Sequence, residues 1–209
     1  MRLVLASTSP RRREILALLG LPFEVIAPDF DERVSYDRAP ETEVLDFAVG
    51  KARSVAVNNP DRIVIGADTM ILLDGVRFGK PAGTGDAKRI LSALSGRTHT
   101  ILTSVAIVDS GGGQGLEHLE KVLVKMRPYS HAEVEQYVER NESLDKAGAY
   151  SIQGHGCALI ESMSGDYLAA VGMPLRPIAA YLKRRGVSAP FDVEKIYRDK
   201  ALRNWRDVC

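Results

Sequence analysis

The sequence predicts an α/β protein, a mixed central β-sheet flanked by helices, and three observations carry that prediction. Leu3–Ala6, Leu21–Ala27 and Arg62–Thr69 are apolar runs of strand length, and helical stretches with one apolar face separate them. Met70–Leu73 and Val76–Phe78 flank the Asp74-Gly75 dipeptide, the signature of a hairpin. Arg97–Asp109 and Leu116–Arg127 alternate as two long partner strands around a flexible Ser110–Gly115 turn.

In chain order, Leu3–Ala6 is a buried strand that breaks at Ser7, Thr8 and Ser9, and Pro10 opens a helix. Ser9 is placed to cap that helix, and Pro10 occupies a first-turn position where its missing N–H costs nothing. Ile15, Leu16, Leu18 and Leu19 form its apolar face, and Gly20 ends it. Arg11, Arg12 and Arg13 sit in the first turn, where a cation opposes the helix dipole unless an anion is supplied. Serines, proline and arginines at a strand-to-helix turn supply what phosphate binding needs: backbone donors, hydroxyls and guanidinium forks. No Gly-x-x-x-x-Gly-Lys-Ser/Thr loop occurs, so this would be a different phosphate cradle. A solvated helix end is the plainer alternative.

The acidic Asp29-Phe-Asp-Glu32 follows the second strand, and Pro40 begins a long helix buried along Val44, Leu45, Ala48, Ala52, Val55 and Ala56. Lys51 lies near that buried side, either snorkelling to solvent or projecting into a cleft. The Arg62–Thr69 run ends in Asp68, where an open α/β sheet collects its chemistry, although a turn aspartate would also fit. The hairpin delivers Gly79-Lys80-Pro81, in which Lys80 has little freedom and no packing role. Thr84 caps a helix to Leu94, and Ser130 caps another to about Glu139. Leu144–Gly156 has no period but carries Asp145, Lys146 and Gln153, the composition of a functional loop. The Gln153 amide can donate and accept together, as reading a nucleobase edge requires. Cys157–Ser162 then reads as a strand, Gly165–Gly172 as a loop and short strand, and Pro174–Arg185 as a helix. From Gly186 a polar tail containing Trp205 reads as a packed or partly mobile extension.

With 209 residues, 45% hydrophobic and 26% charged, the chain can bury the core of one domain, or of one domain with a subordinate lobe. A net charge of +1, with basic residues neither in excess nor interleaved with aromatics, argues against a nucleic-acid partner. No apolar run approaches the roughly 18 residues a membrane helix needs, and no secretory pattern opens the chain, so a cytoplasmic protein with no membrane partner is expected. Cys157 and Cys209 support neither a disulfide framework nor a thiolate metal site, and a buried, chemically idle Cys157 is expected. His99, His118, His131 and His155 lie too far apart for ligand spacing, with His155 set apart by its nearness to Gln153.

Together, the arginines and serines near residue 10, Glu32, Lys51, Asp68, Lys80 and the Asp145–Gln153 loop suit a phosphoanhydride. Cations neutralise phosphate oxygens, carboxylates hold a divalent ion or activate water, and an amide selects the base. The chain here resembles the Maf family, the septum-formation-inhibitor-like nucleoside triphosphate pyrophosphatases. The matching pieces are Ala6-Ser-Thr-Ser-Pro-Arg-Arg-Arg-Glu14, Gly66-Ala-Asp-Thr69, Gly79-Lys-Pro81, Leu94-Ser-Gly-Arg-Thr-His99, Asp145–Gly154 and Val171-Gly-Met-Pro-Leu175. They span residues 1 to about 185 in the family's order, leaving 186–209 as a C-terminal extension.

The resemblance implies a fold related to inosine-triphosphate pyrophosphatases, with an active-site cleft between two lobes. It also implies cleavage between the α and β phosphates with a divalent metal, magnesium or manganese. By carry-over, Asp68 accepts a proton from the attacking water and binds the metal, aided by Glu32 in metal binding or water positioning. Ser7, Arg12, Lys51 and Lys80 hold the triphosphate, with Ser9, Asp145 and Lys146 in the substrate site. The base-reading positions are Arg11, Thr69 and Gln153, a combination similar to the branch acting on dTTP and UTP rather than on 7-methyl-GTP. A homodimer is implied as well. The rival readings are a non-enzymatic nucleotide-binding regulator of cell division or septum formation, and a phosphomonoesterase releasing orthophosphate.

Overall fold

The computed structural model describes residues 2–35, 37–109, 115–187, 190, 192–200 and 202–208. Seven strands, β1 (Arg2–Ala6), β2 (Phe23–Ile26), β3 (Arg62–Leu73), β4 (Val76–Phe78), β5 (Thr98–Asp109), β6 (Leu116–Met126) and β7 (Ile160–Ser164), form one sheet. Their order is β2-β1-β3-β5-β6-β7, with β4 paired to β3. β1 runs parallel to β2 and β3, while β4 and β7 pair antiparallel, so the sheet is mixed as the sequence predicts. The helices are α1 (Pro10–Ala17), α2 (Pro40–Ala56), α3 (Thr84–Leu94), α4 (His131–Glu139), α5 (Tyr167–Val171), α6 (Leu175–Arg184), α7 (Val193–Asp199) and α8 (Trp205–Val208).

The chain divides into two compact units. The first comprises Met1–Asp68, Thr103–Glu120 and Val171–Asp199, and the second Thr69–Leu102, Lys121–Ala170 and Lys200–Cys209. In the first unit, Val4 and Ala6 of β1, Val64 of β3, and Ala52 and Val55 of α2 close into one apolar cluster, flanked by Ile26, Ala56 and Val108. Each valine so buried contributes about 1.5–3 kcal/mol, and this cluster fixes α2 on the sheet. In the second unit, α3 buries Ala87, Ile90, Leu91 and Leu94, and α4 buries Val134, Tyr137 and Val138.

Several expectations are corrected. β3 does not stop near Asp68 but runs unbroken to Leu73, because Ile71–Leu73 pair with β4. Ser9 stands at the N-cap of α1 without a side-chain cap; instead its own N–H donates to Ser7 Oγ at 3.2 Å. Gly83, not Thr84, is the N-cap of α3, and Asp86 turns back to accept from the Ala82 N–H at 3.0 Å. Residues His155–Leu159 form a 3-10 turn rather than the start of a strand, since Cys157 N–H bonds to the Gly154 carbonyl, and β7 begins at Ile160. The Gly165–Gly172 stretch is helical over α5 because Asp166 Oδ1 caps Leu168 and Ala169 N–H at 2.7 and 3.1 Å. The turn expected over Ser110–Gly115 and the terminal Cys209 lie outside the described residues, apart from Gly115. Cys157 is a free thiol but half-buried rather than buried.

α4 begins as expected, with a full capping box between Ser130 and Glu133. The Ser130 N–H at 2.9 Å and Arg127 at 2.6 Å hold the Glu133 carboxylate down to about 2, below its usual 4.5. A lowered carboxylate contributes stability above the unfolded value and loses it as pH falls through the folded one. Glu133→Gln, which keeps the reciprocal hydrogen bond, is therefore expected to melt below the native protein at pH 6. The gap should close as pH falls from 4.5 toward 2, read by thermal melts across that range. A gap independent of pH would refute the assignment.

Candidate active site

Gly66 on β3 has no side chain to hold α2 away. A Cβ there would lie 2.3 Å from the Ala48 carbonyl oxygen and 2.8 Å from the Ala52 nitrogen, both backbone atoms. The close approach places Lys51, on that turn of α2, against Asp68, two residues on from Gly66. Lys51 Nζ donates to Asp68 Oδ1 at 2.5 Å, and both side chains are more than nine-tenths buried. Gly50 works similarly, because the Phe30 ring occupies the space its Cβ would fill. Phe30 also packs edge-on to Phe47 at 6.0 Å. That seats the acidic segment on α2 and brings Glu32 Oε1 to 2.6 Å from the same Lys51 nitrogen. One ammonium thus lies between two carboxylates.

β1 pairs with β3 only as far as Ala6 opposite Gly66, so Asp68 lies just beyond the carboxyl end of its neighbour. The turn that follows β1 supplies the cations. Ser7 is buried, and its Oγ accepts from Ser9 N–H and, at 3.4 Å, from an Arg12 guanidinium nitrogen. Arg12 Nε donates to the Gly172 carbonyl at 3.0 Å, which aims the guanidinium. No acid occupies the first turn of α1, so no carboxylate of that turn complements the helix dipole. Burial lowers the Arg12 pKa, against the pull of Asp68 and Glu32, yet a guanidinium stays charged at any physiological pH. Burial raises the Asp68 carboxyl above its ordinary 3.8, an effect that Lys51 and Arg12 oppose and Glu32 reinforces.

Of the residues singled out from the sequence, the first unit therefore brings Ser7, Arg12, Glu32, Lys51 and Asp68 together. Ser9 joins through its N–H, and Arg11 lies half-buried on the same turn. Thr69, Lys80, Asp145, Lys146 and Gln153 belong to the second unit. There Lys80 is exposed, and the preceding Gly79 carbonyl accepts from Gly148 N–H at 3.1 Å, joining the Lys80 segment to the 144–156 loop. Lys146 pairs with its neighbour Asp145 at 2.5 Å, and Gln153 and Thr69 are half-buried.

The loop is ordered by tethers that sequence reasoning missed. Tyr150 OH meets His99 Nε2 at 2.8 Å, and Ser151 N–H donates to Tyr137 OH at 2.9 Å. Burial drops His99 to about 4, so it is neutral at pH 7. His155 pairs with Glu142 at 2.7 Å, His118 with Glu120 at 2.8 Å and His131 with Glu135 at 3.7 Å, each with a different carboxylate. Gly66 and the Gly172 carbonyl were missed too. An isolated glycine inside an apolar strand is the signal that would have found the first.

Gly66→Ala tests this construction. The added methyl meets backbone that cannot rotate away, so a loss of about 1–3 kcal/mol in denaturant titration is expected, with impaired function as Lys51 moves from Asp68. Native stability in this variant would show that the close approach is not needed.

The family model described as Maf-like protein matches residues 2–185. The dTTP/UTP pyrophosphatase of Symbiobacterium thermophilum is 45% identical over 185 residues, 88% of this chain and 94% of its own. That of Moorella thermoacetica is 45% identical over 187 residues, 89% of this chain and 96% of its own. That of Dictyoglomus thermophilum is 41% identical over 187 residues, 89% and 97% of the two chains. Among solved structures, the Staphylococcus aureus Ham1 protein is a distant likeness, with 13% identity, TM-score 0.45 and coverage of 100% of this chain and 94% of that one. With its family model matched over most of its length and relatives this similar, the chain belongs to the Maf family.

Proposed function

We propose that the chain is a nucleoside triphosphate pyrophosphatase that hydrolyses dTTP and UTP to the monophosphate and pyrophosphate. The observation that carries this reading is the buried Lys51 ammonium held by Asp68 and Glu32 within the unit that also carries Arg12 and Ser7. The family and the names of the relatives support it. In this reading residues 1–185 form the catalytic domain and 186–209 an extension. A cytoplasmic reaction and a homodimeric active species belong to the same reading, and no helix among the described residues is long and apolar enough to cross a membrane.

Asp68 takes the proton of the water that attacks the α phosphorus. Its burial makes it a stronger base than an exposed carboxylate, and the Lys51 bond keeps one oxygen aimed. Lys51, Lys80, Arg12 and Ser7 hold the phosphate chain and offset the charge that builds on the leaving pyrophosphate. Ser9 contributes to the same cradle, and Asp145 and Lys146 to the substrate site.

Asp68 and Glu32 both bond the Lys51 ammonium and so lie close together, and a pair of neighbouring carboxylates suits a magnesium or manganese ion, which is usually held by one or two protein carboxylates plus phosphate oxygens. No group of three potential ligands occurs among the described residues, so the nucleotide would complete the coordination. Asp68 and Glu32 would hold the ion, which supplies charge neutralisation when bound.

Arg11, Thr69 and Gln153 read the base. An amide and a guanidinium together can pair the two carbonyls and the imide N–H of thymine or uracil.

The direct test is a panel of nucleoside triphosphates with magnesium or manganese, with both products identified. Pyrophosphate and monophosphate from dTTP and UTP are expected; orthophosphate, or no turnover, would refute the reading and return the phosphomonoesterase or the pure binder. Asp68→Asn should keep fold and nucleotide binding but lose about a hundredfold to ten-thousandfold in turnover, and near-native turnover would remove Asp68 as base. Gln153→Glu should slow dTTP and UTP hydrolysis and alter base preference across the panel, whereas an unchanged profile would take Gln153 out of base reading.

A further inference from the structure

The family match stops at residue 185, yet the chain beyond it returns to the loop that carries Gln153. Asn204 Nδ2 donates to the Ile152 carbonyl and to the Gly154 carbonyl, each at 3.0 Å. Those carbonyls stand on either side of Gln153. Both partners can only accept, so the amide must face them with its nitrogen. Asn204 has a φ of 61°, a left-handed conformation that asparagine adopts more readily than most residues.

The segment around Asn204 is itself fixed. Trp205 stacks on Tyr167 with ring centroids 4.8 Å apart and planes 11° from parallel, and Tyr167 OH donates to the Arg203 carbonyl. Leu202 and Trp205 are both buried. On the loop side, Ser151 N–H is held by Tyr137, Gly154 N–H by the Ser151 carbonyl and His155 N–H by Glu142. The backbone around Gln153 is therefore tied within the loop and clasped from the tail by one amide.

We infer that Asn204 is a positioning residue for base selection: its two hydrogen bonds fix the backbone on both sides of Gln153 and so set where the Gln153 amide presents its donor and acceptor. The inference rests on the proposed reading of Gln153 as the base reader. The C-terminal extension is on this account a specificity element and not only a packed end. A base reader must be held close to its productive geometry, and a shift of about 1 Å can cost a hundredfold.

The test uses the full chain carrying Asn204→Asp, which keeps shape and the left-handed backbone but removes the donor and sets a carboxylate against two carbonyls. Asn204→Gly, which keeps the backbone and removes the amide, is the second variant and decides the matter should Asn204→Asp fail to fold. Thermal melts, and kcat and KM for UTP and CTP, are measured beside Gln153→Glu. The expected result is a fall of about 10- to 100-fold in kcat/KM for UTP, carried chiefly by KM, with a smaller change for CTP, so that discrimination narrows. A merely structural clasp would lower both nucleotides alike or only the melting temperature, and that outcome overturns the inference. Native discrimination in both Asn204 variants while Gln153→Glu changes it also overturns the inference and leaves the base reader standing. Unchanged discrimination in all three variants refutes the Gln153 reading, and the role of Asn204 falls with it.

Discussion

An ammonium buried between two carboxylates is expensive to assemble, and the first unit is arranged around meeting that cost. Desolvating a lysine and an aspartate is repaid only when the geometry is close and every charge finds a partner. Lys51 satisfies both conditions, at 2.5 Å from Asp68 and 2.6 Å from Glu32. The backbone makes room for it twice, once where Gly66 lets α2 lie on β3 and once where Gly50 receives the Phe30 ring. The apolar cluster of Val4, Ala6, Ala52, Val55 and Val64 then holds α2 in place. Two carboxylates and one cation leave the trio with a net negative charge, which Arg12 opposes from the turn after β1.

The two units reach order by different means. The first relies on a close helix-to-strand approach, in which small residues let charged ones meet. The second holds a loop without regular period through side-chain hydroxyls and an imidazole: Tyr137 on Ser151, and Tyr150 with His99. Polar tethers of this kind fix where a loop's backbone runs without enclosing its other side chains in a core, so Gln153 can stay half-buried while Tyr150 and Ser151 are buried. A buried neutral imidazole suits the task, because a charged one would need a counter-ion that the loop does not supply.

Much of this was legible in the sequence where one signal dominated. Apolar runs gave β1 and the start of β3, the Asp74-Gly75 dipeptide gave the β3–β4 hairpin, and Ser130 with Glu133 gave the start of α4. Boundaries failed where two signals competed. The small residues of Gly165–Gly172 suggest a loop, but the Asp166 cap outweighs them and a helix forms. Asp68 reads as a strand terminus because a charge interrupts an apolar run, yet the strand continues past it to Leu73, with Ile71–Leu73 paired to β4. For Lys51 the sequence left both snorkelling and projection into a cleft open, since the deciding contacts come from Glu32 and Asp68, 19 and 17 residues away. Asn204 had no signal at all: a polar residue in a polar tail shows its partners only once the chain has folded back on the loop.

The account stands on Lys51 and Asp68 acting as a unit, and a double-mutant cycle on turnover measures that directly. Lys51→Met, Asp68→Asn and the combined variant are compared for dTTP hydrolysis under one set of conditions, each checked for native fold. The account predicts strong non-additivity, the combined variant being little slower than Asp68→Asn alone, as expected of groups that serve one step. Losses that simply multiply would mean that the two side chains act independently, and would contradict it.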